Sequence, residues 1–176
     1  NGADAVAIET SQGADHDSDG DGDNSLGTQP DACPVSPGTS TLDRFGCADN
    51  DGDGYSDPDG GWPVSSGADS CPVVSGTSNQ DRSGCPDDDG DGYSNGGDTF
   101  PNDVNEWLDS DGDGVGDNAD AFPNDATETT DSDGDGVGDN TDAFPQNAFE
   151  TLDSDGDGVG DNSDEFPNDA TETKDT

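Results

Sequence analysis

From residue 87 to residue 174 the chain repeats itself every 22 residues, four times without a gap. The units read DDDGDGYSNGGDTFPNDVNEWL, DSDGDGVGDNADAFPNDATETT, DSDGDGVGDNTDAFPQNAFETL and DSDGDGVGDNSDEFPNDATETK. A tandem repeat of this kind is one small unit set against its neighbours, so whatever stabilises one unit must stabilise them all. Each unit has little to bury beyond a Phe-Pro pair. Over all 176 residues only 23% are hydrophobic and the formal net charge is −42. Apolar burial on that scale cannot offset a backbone ordering cost of about 1–2 kcal/mol per residue. A chain so poor in apolar residues and so charged stays disordered, unless something other than a hydrophobic core holds it.

The choice of acid is informative. Only six of the 45 acidic residues are Glu; the remainder are Asp, set among 27 Gly. Asp beside Gly favours tight turns, because its short side chain bonds nearby backbone and Gly accepts positive φ. Dense Asp-Gly therefore predicts acidic turns aimed at something cationic. With Arg44, Arg82 and Lys174 as the only basic side chains, no nucleic-acid partner is expected, since phosphate binding needs many cations. No apolar run approaches the ~18–20 residues of a membrane span, so no membrane insertion is expected. His16 stands alone, the serines have no base beside them, and the glycines lack the Lys of a phosphate loop. The chain is not expected to be an enzyme. Trp62 and Trp107 read as local anchors, and Arg44 and Arg82 as partners of carboxylates.

The front half has a longer period. DACPVSPGTSTLDRFGC (31–47) and DSCPVVSGTSNQDRSGC (69–85) lie 38 residues apart and share Gly-Thr-Ser, Asp-Arg and Gly-Cys at matching places. Each precedes a DGDGY run. Four Cys in a chain without a large core predict disulfides and an oxidising compartment. Of three connectivities, equal gaps of 14 favour Cys33–Cys47 and Cys71–Cys85. Each would contribute about 3 kcal/mol by loop-closure entropy. The short units carry Asp-x-Phe-Pro where the long ones carry Asp-x-Cys-Pro, so Phe and Cys read as alternative anchors of one loop. Regular structure should be sparse. A helical turn is expected after each Pro, with Asp103 and Glu106 placed as a capping box, and Val6-Ala7-Ile8 is the one strand-like segment.

Counting Asp109 as position 1 places Asp111, Asp113, Asp117 and Asp120 at positions 3, 5, 9 and 12, with Gly114 at 6 and Val115 at 7. Those are the liganding offsets of a twelve-residue calcium loop: carboxylates at 1, 3, 5, 9 and 12, a turn glycine at 6 and a backbone carbonyl at 7. Calcium takes 6–8 oxygens at about 2.3–2.6 Å, whereas magnesium demands a stricter octahedron and keeps its waters. The pattern recurs at Asp131, Asp133, Asp135, Val137, Asp139 and Asp142, and at Asp153, Asp155, Asp157, Val159, Asp161 and Asp164. It recurs at Asp87, Asp89, Asp91, Tyr93 and Asp98 with Asn95 at position 9. A further loop starts at Asp49, Asp51, Asp53, Tyr55 and Asp57, and Asp69 takes the closing place. The first unit can be framed from Asp15 or from Asp17. Its candidate ligands are Asp17, Asp19, Asp21, Asp23 and Asp31, with Asp31 closing it after an insertion.

A disordered acidic tail has no reason to keep Phe-Pro in a fixed 22-residue register. An EF-hand or dockerin needs amphipathic helices after the loop, but Pro123, Pro145 and Pro167 fall three residues past position 12 and polar residues follow. The motif D-x-D-x-D-G-x-x-D-x-x-D followed by x-[CF]-P resembles thrombospondin type-3 repeats, particularly their microbial extracellular version, over about residues 15–174. That resemblance implies a mostly irregular fold: a tandem, calcium-stapled repeat rod with two disulfide-closed loops and one or two Ca2+ per repeat. The residues implied as ligands are the sets above, with the carbonyls of Tyr55, Tyr93, Val115, Val137 and Val159. Cys is missing from the last four units, and none of the 176 residues reads as a globular partner domain.

The expected organisation is an extension or assembly segment at 1–14, long disulfide-containing repeats at 15–86, four short repeats at 87–174 and a tail at 175–176. The expected function is that of a secreted, extracellular or cell-surface structural protein stiffened by calcium, assembling head to tail with copies of itself into a filament through Asp175 or the 1–14 segment. The alternative is a spacer, stalk or adhesion module of a larger surface protein.

Overall fold

The computed structural model describes residues 13–27 and 29–171. The expected strand at Val6-Ala7-Ile8, most of the 1–14 segment and Asp175 lie outside them. Among the described residues the only helical element is a 3-10 turn at Val64–Ser66, and the only β-pairing is an isolated bridge between Gly22 and Pro30. Sparse regular structure is what an Asp- and Gly-rich chain dictates. The expected helical turn after each Pro is replaced by two short turns. The Asn102 and Asp103 amides both donate to the Phe100 carbonyl, at 2.6 and 2.8 Å. The Glu106 carboxylate, expected to reach back to Asp103, accepts from the Asn118 amide.

The interior is polar. Among the described residues the buried hydrophobic side chains are Cys47, Ala68 and Cys85 alone. The buried polar set is far larger: Asp31, Asp69, Asp120, Asp142, Asp164, Glu106, Glu128, Glu150 and four serines. Buried carboxylates without positive partners are ordinarily prohibitive. Their number here makes the ionic interior the feature that organises the fold. Leu26, Val35, Phe149 and Leu152 are exposed. No Phe of a Phe-Pro is fully buried: Phe100, Phe122 and Phe144 are partly exposed and Phe166 is 37% exposed. The Phe side chains therefore pack locally and form no core.

The chain divides into two compact units, Asn1–Val104 and Asn105–Thr176. The first holds three acidic loops and both disulfides, Cys33–Cys47 and Cys71–Cys85. The words shared by the two cysteine segments each have a structural task. Ser40 and Ser78, from Gly-Thr-Ser, are fully buried. Their hydroxyls donate to the Arg44 and Arg82 carbonyls and accept from the Cys47 and Cys85 amides, at 3.0 and 2.9 Å. Arg44 pairs with Asp59 at 2.9 Å and lies 5.6 Å from the centroid of Trp62, whose indole N–H donates to Asp43. This ties the insertion after Asp57 to the cysteine segment before it. Arg82 lies 3.7 Å from Asp81 and donates to Ser94. Both arginines and Trp62 thus sit as local anchors. The second unit holds the three loops beginning at Asp109, Asp131 and Asp153 and lacks any cysteine.

Candidate metal centres

Six loops share one hydrogen-bond register. The amide of position 9 donates to the carbonyl of the residue before position 1: Asp23 to Ala14, Asp57 to Ala48, Asn95 to Pro86, Asp117 to Leu108, Asp139 to Thr130 and Asp161 to Leu152, all at 2.7–2.9 Å. The amide of the closing Asp donates to the carbonyl of position 8, as in Asp120 to Gly116 at 2.9 Å. The same bond joins Asp31 to Gly22 and Asp69 to Ser56, at 3.0 and 2.9 Å. The two insertions therefore bulge out without disturbing the closure, and Asp31 and Asp69 occupy the closing place. The register of the first loop begins at Asp15, so Asp17 and Asp19 hold positions 3 and 5. Asp21 falls at position 7, the place of the backbone carbonyl in the loop pattern, and Asp15, one of the two starts the sequence allowed but absent from the candidate ligands, takes position 1.

Position 1 shapes the coil. Both oxygens of Asp49 accept from amides, those of Gly52 and Gly54 at 2.7 and 3.0 Å. Asp87, Asp109, Asp131 and Asp153 repeat the pair. These bonds need left-handed backbone at positions 4 and 6, and the glycines there have φ of 78° to 106°. In the first loop position 4 is Ser18, whose φ of 68° makes it the one described non-Gly residue with positive φ. That conformation costs roughly 1–2 kcal/mol for an L-residue.

The remaining carboxylates divide into two kinds. Position 9 is a brace: both Asp117 oxygens are taken by the Ser110 amide and hydroxyl, at 2.7 and 2.6 Å, and Asp139 and Asp161 hold Ser132 and Ser154 likewise. The Ser hydroxyl bonds hold the Asp139 and Asp161 carboxyls below their ordinary range. Positions 3, 5 and 12 face inward. Most use one oxygen on an amide two residues ahead, as Asp113 does on Val115 and Asp120 on Phe122, at 2.8 and 2.7 Å. The other oxygen is buried without a donor in Asp31, Asp69, Asp89, Asp91, Asp111, Asp113, Asp133, Asp135, Asp142, Asp155, Asp157 and Asp164, and both oxygens are so in Asp17 and Asp51. Burial, with neighbouring carboxylates adding to it, raises Asp111, Asp133 and Asp155. It pushes Asp69, which is fully buried, to about 6, with Asp53, Asp51 and Asp57 adding repulsion.

In the triplets Asp15–Asp17–Asp19, Asp49–Asp51–Asp53, Asp87–Asp89–Asp91, Asp109–Asp111–Asp113 and Asp131–Asp133–Asp135 one carboxylate oxygen from each residue lies within 4.8 Å of the others. Such a cluster could hold a metal ion. The same loops carry the buried, donorless oxygens of positions 3, 5 and 12. Among those residues no backbone amide donates to the carbonyls of Tyr55, Val115, Val137 or Val159, the position-7 oxygens expected to join them.

A second layer escaped the sequence reading. Glu106, Glu128 and Glu150, three residues ahead of their loops, are buried with Oε2 accepting from the amides of Asn118, Asn140 and Asn162 at 3.1, 3.0 and 2.9 Å. The Asn side chains donate back to the Asn105, Thr127 and Phe149 carbonyls. Each Glu fills the space over position 8, where a Cβ on Gly116, Gly138 or Gly160 would fall 2.0–2.1 Å from Oε2. The loops at 49 and 87 carry Ser at position 8 and are clamped from further back: Asp43 takes the Ser56 amide and hydroxyl, and Asp81 those of Ser94. Glu with Gly, or Asp with Ser, is the signal that was present in the sequence. It is two-residue covariation at a spacing of ten to thirteen, invisible to loop counting.

The raised carboxyls set a pH dependence for the cation-stripped chain. A carboxyl whose folded pKa exceeds the unfolded value of about 3.9 stabilises the fold below that value and loses the contribution as pH rises through the folded pKa. For Asp69 the window runs from about 4 to about 6. The stripped chain, open at neutral pH, is therefore expected to gain compactness as pH falls from 6.5 to 4, read by Trp fluorescence. A stripped chain that instead opens further over that fall contradicts the buried, unpartnered placement of these groups.

No protein-family model matches this chain, and no curated protein matches it.

Proposed function

We propose that the chain is an extracellular calcium-binding structural protein: a tandem-repeat rod of the thrombospondin type-3 kind in which bound ions take the place of a hydrophobic core. The observation that carries this reading is the set of donorless, buried oxygens at position 3 of all six loops, joined in each by position 5, position 12 or both. Calcium suits it better than magnesium. The loops offer several protein oxygens plus a carbonyl in an irregular coil, which matches a cation of 6–8 flexible ligands and not a rigid octahedron that keeps its waters. Zinc would want His or Cys, and the cysteines are in disulfides. The two disulfides are consistent with an extracellular setting, and no helix among the described residues is long and apolar enough to cross a membrane.

A self-supporting extracellular element of this kind serves as the subunit of a head-to-tail filament, a heterologous contact that propagates without closing, or as a stalk between surface domains. Limited proteolysis in matched concentrations of CaCl2 and MgCl2 tests the ionic reading. Millimolar calcium is expected to slow cleavage by at least tenfold relative to magnesium, and equal cleavage in the two salts contradicts it. Light scattering in millimolar calcium separates the assemblies: fibres identify the filament, strict monomers the stalk.

A further inference from the structure

Two of the six loops are built differently from the other four. In the loops at 87, 109, 131 and 153 one oxygen of the position-5 carboxylate (Asp91, Asp113, Asp135, Asp157) is buried without a donor. In the two long loops that oxygen is covered by the cysteine segment that follows. The Gly38 amide donates to Asp19 Oδ2, and the Gly76 amide to Asp53 Oδ2, each at 3.1 Å. The far end of the same segment closes on the same spot. Gly46 lies against Asp31 and Asp19, so that a Cβ there would be 2.5 Å from Asp31 Oδ1 and 3.0 Å from Asp19 Oδ2. Gly84 lies against Asp69 and Asp53, at 2.3 and 2.9 Å by the same measure. The two ends are held together by the disulfide and by backbone contact: a Cβ on Gly38 or Gly76 would fall 1.9 Å from the Cys47 or Cys85 carbonyl.

The contact is one-sided. Toward the loop that comes after it, the cysteine segment offers backbone amides, the Asp clamp, the Thr39 hydroxyl and Arg82. The Asn79 and Gln80 amides donate to the Gly92 carbonyl at 2.8 and 2.9 Å, and Asp81 holds Ser94. It does not touch the position-5 or closing carboxylates of that loop through any hydrogen bond among the described residues.

We propose that each disulfide segment is the lid of the cation cage that precedes it. Two of the six cages are then composite, built from carboxylates of one segment and backbone amides of the next, and they open when their disulfide opens. The inference rests on the reading of the loops as cation sites and adds to it a division into two lidded and four open cages. Reduction by an external dithiol supplies two electrons and two protons, turns the disulfide into two thiols and leaves the dithiol as its own disulfide. Gly76 and Gly84 are then no longer held to one another, and the cover over Asp53 and Asp69 lifts. Linkage makes the effect reciprocal: a cation in the lidded cage disfavours reduction of its disulfide. A tenfold loss of cation affinity on reduction corresponds to a potential about 30 mV lower in calcium than in chelator.

The test is peptide-resolved hydrogen exchange on the full chain in calcium, first oxidised, then reduced and alkylated. A Gly84→Ala variant with its disulfides intact serves as a second way of lifting one lid. Reduction is expected to raise exchange at least tenfold at 15–31 and 49–69 and to leave the loops beginning at 109, 131 and 153 protected. Gly84→Ala is expected to expose 49–69 while 15–31 stays closed. Unchanged protection of both long loops after reduction, or equal loss in all six, overturns the lid. An oxidised chain that gains no protection from calcium anywhere overturns the cation reading itself and the lid with it.

Discussion

Removing divalent cations with EGTA is expected to abolish protease resistance and amide protection throughout the described residues. Potassium chloride at 0.15 M is not expected to restore either. Within a loop the carboxylate oxygens of positions 1, 3 and 5 lie within 4.8 Å of one another. Two like charges about 4 Å apart repel by about 4 kcal/mol at an effective dielectric of ~20. Each loop holds at least three such pairs, and the buried hydrophobic set of Cys47, Ala68 and Cys85 gives nothing to oppose them. Monovalent salt at 0.15 M screens over about 8 Å, longer than the separations inside a loop. It therefore weakens repulsion between loops and leaves repulsion within them. A divalent ion at the centre of the coil removes it at the source, so folding and metal binding become one event. A stripped chain that keeps its protection, or one rescued by potassium alone, contradicts the account.

The second large effect is expected from a single methyl group. Gly138→Ala places a Cβ 2.1 Å from Glu128 Oε2, which forces that carboxylate out of a site where it is 3% exposed. The lost bond to the Asn140 amide is charge-assisted, and such bonds are worth about 1.5–3 kcal/mol. The substitution is expected to destabilise the 131–142 loop by about 2–3 kcal/mol on that scale. It should lower the calcium affinity of that loop while its neighbours hold theirs. Glu128→Ala alone is expected to cost about as much. In the Glu128→Ala background the cost of Gly138→Ala should fall close to zero, because the methyl group then enters vacated space. The cycle therefore predicts a coupling of about 2 kcal/mol between the two residues. Fully additive losses show that Glu128 does not clamp the loop, and a neutral Gly138→Ala shows the same.

The loops were legible because their determinants are local and repeat. A carboxylate on alternate residues, a glycine wherever the coil must turn left-handed and a closing Asp before Phe-Pro or Cys-Pro all lie within about a dozen residues. Six registers say the same thing. Equal Cys gaps gave the disulfide pairing for a similar reason. Division of labour among the carboxylates was not legible. Position 9 reads as a ligand by offset, yet Asp117 is occupied by Ser110, a partner that a calcium-loop template does not ask for. The first loop could not be framed, because Asp15 and Asp17 begin equally good alternations. The bonds from the Asp23 amide to the Ala14 carbonyl and from the Ser18 and Gly20 amides to Asp15 select the Asp15 frame. The Glu and Asp clamps were missed because their signal is a pairing of residues 10 to 13 apart, outside the loop pattern, and the cysteine lids because they join residues 19 and 23 apart through backbone amides, which carry no side-chain signature. Post-Pro helical turns were expected from a capping pattern whose Glu is instead drawn to Asn118, where it satisfies the exit half of the loop.

The central claim, that metal ions are the interior this chain otherwise lacks, is tested most directly by an anomalous difference map from crystals grown in calcium. A peak is expected inside each of the six coils, at about 2.3–2.6 Å from the inward oxygens of positions 3, 5 and 12. In the second unit those are Asp111, Asp113 and Asp120 and their equivalents 22 and 44 residues later. Coils without peaks, or carboxylates turned out into solvent, contradict it.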